Sequence, residues 1–258
     1  MPHSNAATLR VVVPARYASS RLPGKPLLDL AGKPMVVRVH EAVRRALPEA
    51  DIVVAVDDQR VLDALAGHGI QAAMTDPAHE SGTDRAAEVA RTLGWAGTDT
   101  VCNVQGDEPL VPHDMLRAFA GFCATCTDLS MATIAVRVGS VAEVHDPNVV
   151  KLTLDAGDRA IAFSRASMPF HRDLPPAQWP LDDHLRHVGI YAYRNDVLQQ
   201  LTGTPPCALE RIEKLEQLRA LWLGIPIHVM RWHQSPPHGV DTPADAARVA
   251  ALFGEMKQ

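Results

Sequence analysis

Cysteine is scarce in this sequence. Cys102, Cys123, Cys126 and Cys207 are the four in 258 residues, too few for a disulfide framework at this length and suited to a reducing compartment. Cys123 and Cys126 form a lone CxxC, "CATC", but no second CxxC and no His pair at finger spacing follows, so the two read as packing residues rather than as a zinc or redox site. A basic surplus is also missing: the net charge is −5, which gives nucleic acid no reason to bind. No apolar run approaches the roughly 18 residues of a membrane span, and "MPHSNAATLRVVVPA" has neither the basic start nor the apolar stretch of a signal peptide. A cytoplasmic protein with no membrane partner is therefore expected. Two motifs are lacking as well. No Gly stands five residues before the Gly24–Lys25 pair, which excludes a Walker A loop, and no Asp-x-Asp occurs, which argues against a nucleotide-sugar glycosyltransferase.

What is present is an alternation of apolar strands with amphipathic helices. Strands are expected over 9–15, 51–56, 71–75 and 99–105, with helices over 35–47, 60–69 and 83–94 between them. This pattern predicts an α/β fold with a mostly parallel sheet covered on both faces. From about 129 the helices thin out and strand-like runs dominate ("LSMATIAVRV", "NVVKLTLD", "RHVGIYAYR"), predicting a mixed or antiparallel extension. Residues 168–184, rich in proline, read as a long loop. One helix over 208–224, a strand over 225–232 and a last helix begun by "GVDTPADAA" close the chain. The expected organisation is a single domain, 1–258, with about 129–200 as the extension.

In a parallel sheet, ligands gather at the carboxyl ends of the strands. The loop after the first strand, "RYASSRLPGKPL", packs Arg16, Arg21 and Lys25 together, a set of donors suited to a triphosphate. After the 99–105 strand, "VQGDEP" places Asp107 and Glu108 behind Gly106, where hard carboxylate oxygens suit Mg²⁺. In "GVDTPADAA" the Thr242 cap, Pro243 and Asp245 start a helix and leave Asp241 spare as a second metal carboxylate. "HESGTDR" puts Ser81, Gly82 and Thr83 at a helix start with Arg85 in its first turn, where a cation calls for an anionic partner. On the 208–224 helix, Glu210, Glu213 and Gln217 would share one stripe.

In order and spacing, "VVVPARYASSRLPGKPL", "HESGTDR", "NVQGDEPL", "NVVKLTLD", "FSRASMPF", "LRHVGIYAYR", "LERIEKLEQLRALWLG" and "GVDTPADAARV" resemble the 3-deoxy-manno-octulosonate cytidylyltransferases over about residues 9–253. The resemblance implies a Rossmann-like nucleotidyltransferase fold, usually a homodimer, that moves CMP from CTP to 3-deoxy-D-manno-octulosonate (Kdo) with Mg²⁺ and releases pyrophosphate. It further implies that Arg16, Arg21 and Lys25 neutralise phosphate and that Pro14 and Ala15 border the cytosine. Met74, Ser81, Gly82, Thr83, Arg85 and Gln105 would complete the nucleotide pocket. Asp107 and Asp241 would hold Mg²⁺, while Arg165, His187, Tyr191, Glu210 and Gln217, with Glu213 beside them, would line the sugar site. The motifs separate Kdo poorly from 8-amino-Kdo or sialic acid. A non-catalytic relative would be expected to lack Lys25, Asp107 or Asp241, and all three are present.

Overall fold

A computed structural model describes residues 8–18 and 22–255, which fall into two compact units: residues up to 121 together with 236 onward, and residues 122–235.

The first unit is built on four parallel strands, β1 (Leu9–Ala15), β2 (Asp51–Val56), β3 (Ala72–Met74) and β4 (Thr100–Asn103), in the spatial order β3-β2-β1-β4. Val11, Val12, Val13, Val53 and Val54 are fully buried, as expected of strands with helices on both faces. Helices α1 (Met35–Ala46), α2 (Gln59–Gly67) and α3 (Gly82–Thr92) supply the crossovers. The chain moves outward from β1 to β3 and then returns to β4 on the other side of β1. That reversal opens a crevice at the carboxyl ends of β1 and β4. The helix α4 (His113–Thr125), which the sequence reading had not singled out, follows β4.

The second unit carries β5 (Met131–Arg137), α5 (Val141–His145), β6 (Lys151–Leu154), β7 (Ala160–Ser164), β8 (Leu185–Arg194), α6 (Asn195–Thr202), α7 (Ala208–Glu213), α8 (Gln217–Trp222) and β9 (Ile227–Trp232). β5 runs antiparallel to β8 and parallel to β9, and β6 is antiparallel to both β7 and β8. The expected mixed extension is thus present. The proline-rich 168–184 segment is a loop with two short 3-10 turns, pinned by Trp179, which is buried against Val138 and Val144 and stacked on His184.

One expectation fails. Residues 208–224 form two helices, not one, because Lys214 adopts a left-handed conformation (φ 54°) and turns the chain between α7 and α8. Glu210, Glu213 and Gln217 therefore do not share a single helical stripe. The last helix, α9 (Pro243–Glu255), returns to the first unit and buries Ala246 and Val249 against Leu30, Met35 and Val240.

Candidate functional site

At the crevice of the first unit lies a cavity of about 320 Å³ lined by Pro14, Ala15, Arg16, Lys25, Ser81, Gly82, Arg85, Gln105, Gly106, Asp107 and Asp241, among others. Three loops build it. The loop after β1 is closed by the Gly24 N–H donating to the Tyr17 carbonyl (3.3 Å), and Gly24 sits at φ 71°, a conformation that favours glycine. The loop after β4 approaches β1 so closely that a Cβ on Gly106 would stand 2.3 Å from the Pro14 carbonyl oxygen. Only glycine fits there. The segment before α9 is tied to the β4 loop by the Val240 N–H donating to the Asp107 carbonyl (2.8 Å).

This last bond brings Asp241 beside Asp107, and Lys25 answers both. Its Nζ donates to Asp107 Oδ2 at 2.7 Å and to Asp241 Oδ1 at 3.1 Å. Two carboxylates from distant parts of the sequence therefore converge on one cationic point. Asp245 takes no part in it: its carboxylate accepts from the Thr242 N–H and hydroxyl, the capping arrangement expected from the sequence.

Arg85 is held inside the protein. Its guanidinium is 2% exposed and donates to Asp57 Oδ2 (3.0 Å), Thr75 Oγ1 (2.8 Å) and the carbonyl of Asp76 (3.2 Å). The anionic partner that a cation in the first helical turn calls for is Asp57, a residue of the fold, although Arg85 also reaches the cavity wall. Asp57 was missed by the sequence reading. It follows β2 directly, so the carboxyl-end argument applied to β1 and β4 would have found it. Its other oxygen accepts from the Tyr17 N–H (2.8 Å), linking the cationic loop to α3. Ser81 caps α3 through the Asp84 N–H. Met74, exposed at the end of β3, and Thr83, buried in α3, are not among the residues lining the cavity. Arg21 lies outside the described residues.

The candidate sugar residues lie in the second unit. Thr133 pairs with Tyr191 and Ile134 with Val188, so Gly189 and Ile190 bulge out of register between His187 and Tyr191. Bulges of this kind re-aim side chains. Thr133 Oγ1 donates to the Ile190 carbonyl (2.8 Å) and lies 2.9 Å from His187 Nε2. With its one proton committed, the hydroxyl accepts from His187 Nε2–H, which leaves Nδ1 as the acceptor nitrogen. Burial, reinforced by the charge of Arg186, pushes the imidazole down to about 3 from 6.5, so it is neutral near pH 7. The Tyr191 ring sits 5.1 Å from it, its hydroxyl pushed well above its ordinary value by burial and then by Tyr193 and Glu216. Gln217, next to Glu216, is buried with its Nε2 lacking a hydrogen-bond partner.

Both glutamates on α7 are engaged within the protein. Glu210 grips Arg219 at 2.6 and 2.8 Å and is buried with it, so its carboxylate serves the corner between α7 and α8. Glu213 accepts from the Ser164 hydroxyl (2.6 Å) and the Arg165 N–H (3.0 Å), and hydrogen bonding from that hydroxyl leads the causes that lower its pKa. Lys151, unassigned by the sequence reading, is fully buried and gives its three protons to the carbonyls of Asp146, Val149 and Arg165. It and Glu213 together fix the backbone at Arg165.

His187 carries a pH prediction. In the unfolded chain its imidazole takes up a proton as pH falls through about 6.5, whereas in the fold it does so only near 3. Stability is whole above the unfolded value and is lost progressively as pH falls toward 3. His187→Gln should make the decline in urea midpoint between pH 7.5 and 5 shallower, without abolishing it, because burial also lowers His40 and His113. An unchanged slope would remove His187 as a cause.

A family model described as cytidylyltransferase matches residues 10–227. The chain is 58% identical to 3-deoxy-manno-octulosonate cytidylyltransferase 2 of Paraburkholderia phytofirmans, over 97% of this chain and 95% of that one. It is 48% identical to the 3-deoxy-manno-octulosonate cytidylyltransferase of Vibrio vulnificus, over 94% and 97% of the two chains. Among solved structures, a CMP:2-keto-3-deoxy-manno-octonic acid synthetase complexed with CTP superposes with a TM-score of 0.88 at 40% identity, covering 97% of this chain and all of the other.

Proposed function

The chain belongs to the 3-deoxy-manno-octulosonate cytidylyltransferases, and from that membership we infer that it transfers CMP from CTP to Kdo, releases pyrophosphate and so activates the sugar for lipopolysaccharide biosynthesis. One observation within the chain supports this above the others: Lys25, Asp107 and Asp241 converge at a cavity also lined by Arg16 and Gln105, at the carboxyl ends of β1 and β4.

Attack of the anomeric hydroxyl on the α-phosphorus forms the sugar–phosphate bond and expels pyrophosphate. Such a transfer needs positioning and charge neutralisation more than covalent help. Arg16, Arg21 and Lys25 supply the cations, and Gly106 lets the loop carrying Gln105 and Asp107 lie against Pro14 at the cavity wall. Pro14, Ala15, Ser81 and Gly82 form the wall against which the base and ribose would rest, with Met74, Thr83 and Arg85 in supporting positions. The convergent carboxylates of Asp107 and Asp241 are hard oxygen donors and fit Mg²⁺. Bound there, the ion would offset phosphate charge and lower the pKa of the attacking hydroxyl. Arg165 offers a cation to the Kdo carboxylate, while His187 Nδ1, Tyr191 and the orphaned amide of Gln217 offer hydrogen bonds to its hydroxyls.

A homodimer and a cytoplasmic location belong to the same reading. Ile161, Leu209, Ile212 and Trp222 are apolar yet 60%, 55%, 77% and 63% exposed, which fits a face covered by a second copy. Ile212→Asp should convert dimer to monomer in sedimentation velocity, and a wild-type monomer would end that proposal. The function itself is tested by pyrophosphate release from CTP, Mg²⁺ and Kdo, with UTP, sialic acid, 8-amino-Kdo and EDTA in parallel. Release is expected only with CTP, metal and Kdo together. Activity with sialic acid or 8-amino-Kdo in place of Kdo would move the substrate, and no activity with CTP still binding would favour a non-catalytic relative.

A further inference from the structure

Cys126, Asp128 and His228, none of which has a role above, bring three metal-ligating atoms within 4.8 Å of one another in the second unit. Cys126 follows α4 directly and Asp128 lies in the turn before β5, while His228 is the second residue of β9. The parallel pairing that sets His228 opposite Ala132 delivers the histidine to that turn.

The distances suit a tetrahedral ion. Cys126 Sγ is 3.5 Å from Asp128 Oδ1, and His228 Nε2 is 3.6 Å from the same oxygen. With zinc–ligand bonds of about 2.0–2.3 Å, tetrahedral ligand atoms stand roughly 3.3–3.8 Å apart, so two of the three edges already fall in that range. A small closure brings the third. His228 adds to this: its side chain is 12% exposed, and its buried Nε2 stands 3.6 Å from Asp128 Oδ1, beyond hydrogen-bond distance, a separation that an ion between the two would satisfy. The Asp128 side chain is 68% exposed, so solvent reaches the site and water can serve as the fourth ligand. A thiolate and a carboxylate balance one divalent charge, and sulfur with imidazole selects a borderline-soft ion over Mg²⁺.

We propose that Cys126, Asp128 and His228 form a zinc site, with water as fourth ligand, that fastens the α4–β5 turn to β9. Binding makes Zn–S, Zn–O and Zn–N bonds and releases the Cys126 thiol proton to solvent. The CxxC does not act as a pair, since Cys123 is buried in α4; spacing along the sequence gave no sign of the partnership with His228.

The test uses the full chain, stripped of metal and then held in excess Mg²⁺, titrated with Co²⁺ and with Zn²⁺. One equivalent of Co²⁺ should bind with a near-ultraviolet thiolate-to-cobalt band and visible tetrahedral bands, and Zn²⁺ should displace it. Because Cys102, Cys123 and Cys207 are buried, a single thiol should react readily with a disulfide reagent in the native protein, and Zn²⁺ should protect it. Cys126→Ser should abolish the thiolate band, while Asp128→Asn and His228→Gln should each weaken Co²⁺ binding more than about 100-fold, beyond what loss of an outer-shell partner produces. Turnover in Mg²⁺ should stay at the wild-type level in Asp128→Asn, whose exposed side chain is not needed for folding. Absence of the thiolate band in wild type, or a band and a protection that survive Asp128→Asn and His228→Gln undiminished, would overturn the site.

Discussion

Lys25→Ala should lower CMP transfer by roughly a hundredfold, about 3 kcal/mol of transition-state stabilisation, with the protein still folded. The loss is large because Lys25 is poised between two demands. Without nucleotide its ammonium neutralises Asp107 and Asp241 together, at 2.7 and 3.1 Å. Asp107 and Asp241 would hold Mg²⁺ on this reading, and with their charge offset by the ion the Lys25 ammonium would be free to turn toward phosphate. The variant therefore has effects of opposite sign. Transfer should weaken, yet Mg²⁺ binding in the absence of CTP should strengthen, because a competing cation would no longer occupy the carboxylates. Asp107→Asn should lose turnover to a similar degree and weaken Mg²⁺ binding instead. Steady-state pyrophosphate release and calorimetric Mg²⁺ titration of both variants separate these effects. Near-normal turnover in folded Lys25→Ala would take the residue out of the mechanism, and unchanged nucleotide-free Mg²⁺ binding would disconnect it from the carboxylates.

How far the sequence revealed this arrangement depends on whether the determining interactions are local. The β1 and β4 loops were legible because a parallel sheet gathers ligands where its strands end, and Arg16, Lys25, Gly106 and Asp107 lie in the loops that follow such ends. Asp241 was legible by subtraction, since Thr242 and Asp245 satisfied the helix start without it. Arg85 was noticed for a sound reason, but the anion that explains it, Asp57, is brought to it by the packing of α3 on the sheet. His187 and Tyr191 were singled out by resemblance alone. The bulge that orients them depends on the register of β8 against β5, which is a property of the pair and not of either strand. The α7–α8 corner left no local mark. "LERIEKLEQLRALWLG" holds no proline, and its glycine stands only at its end, so propensity alone favours one helix.

The Glu210–Arg219 pair spans that corner, and breaking it gives the largest expected effect on stability. On one straight helix the two residues would be separated by about 13.5 Å of axial rise, too far for an ion pair. The left-handed turn at Lys214 lets them meet at 2.6 and 2.8 Å, each side chain 9% exposed, with Arg219 also donating to the carbonyls of Leu201 and Thr204. Glu210→Gln leaves a guanidinium buried without its counter-charge and should cost about 3–5 kcal/mol in urea unfolding. Adding Arg219→Met removes the stranded charge, so the double variant should recover much of the loss, less the two carbonyl bonds, and a double-mutant cycle should report coupling above about 2 kcal/mol. The cycle also separates the fold from the chemistry. If Glu210 acts through the corner, the double variant regains a wild-type KM for Kdo together with its stability. Should stability return while KM for Kdo stays raised, Glu210 touches the sugar itself, and its bond to Arg219 must open when the substrate binds.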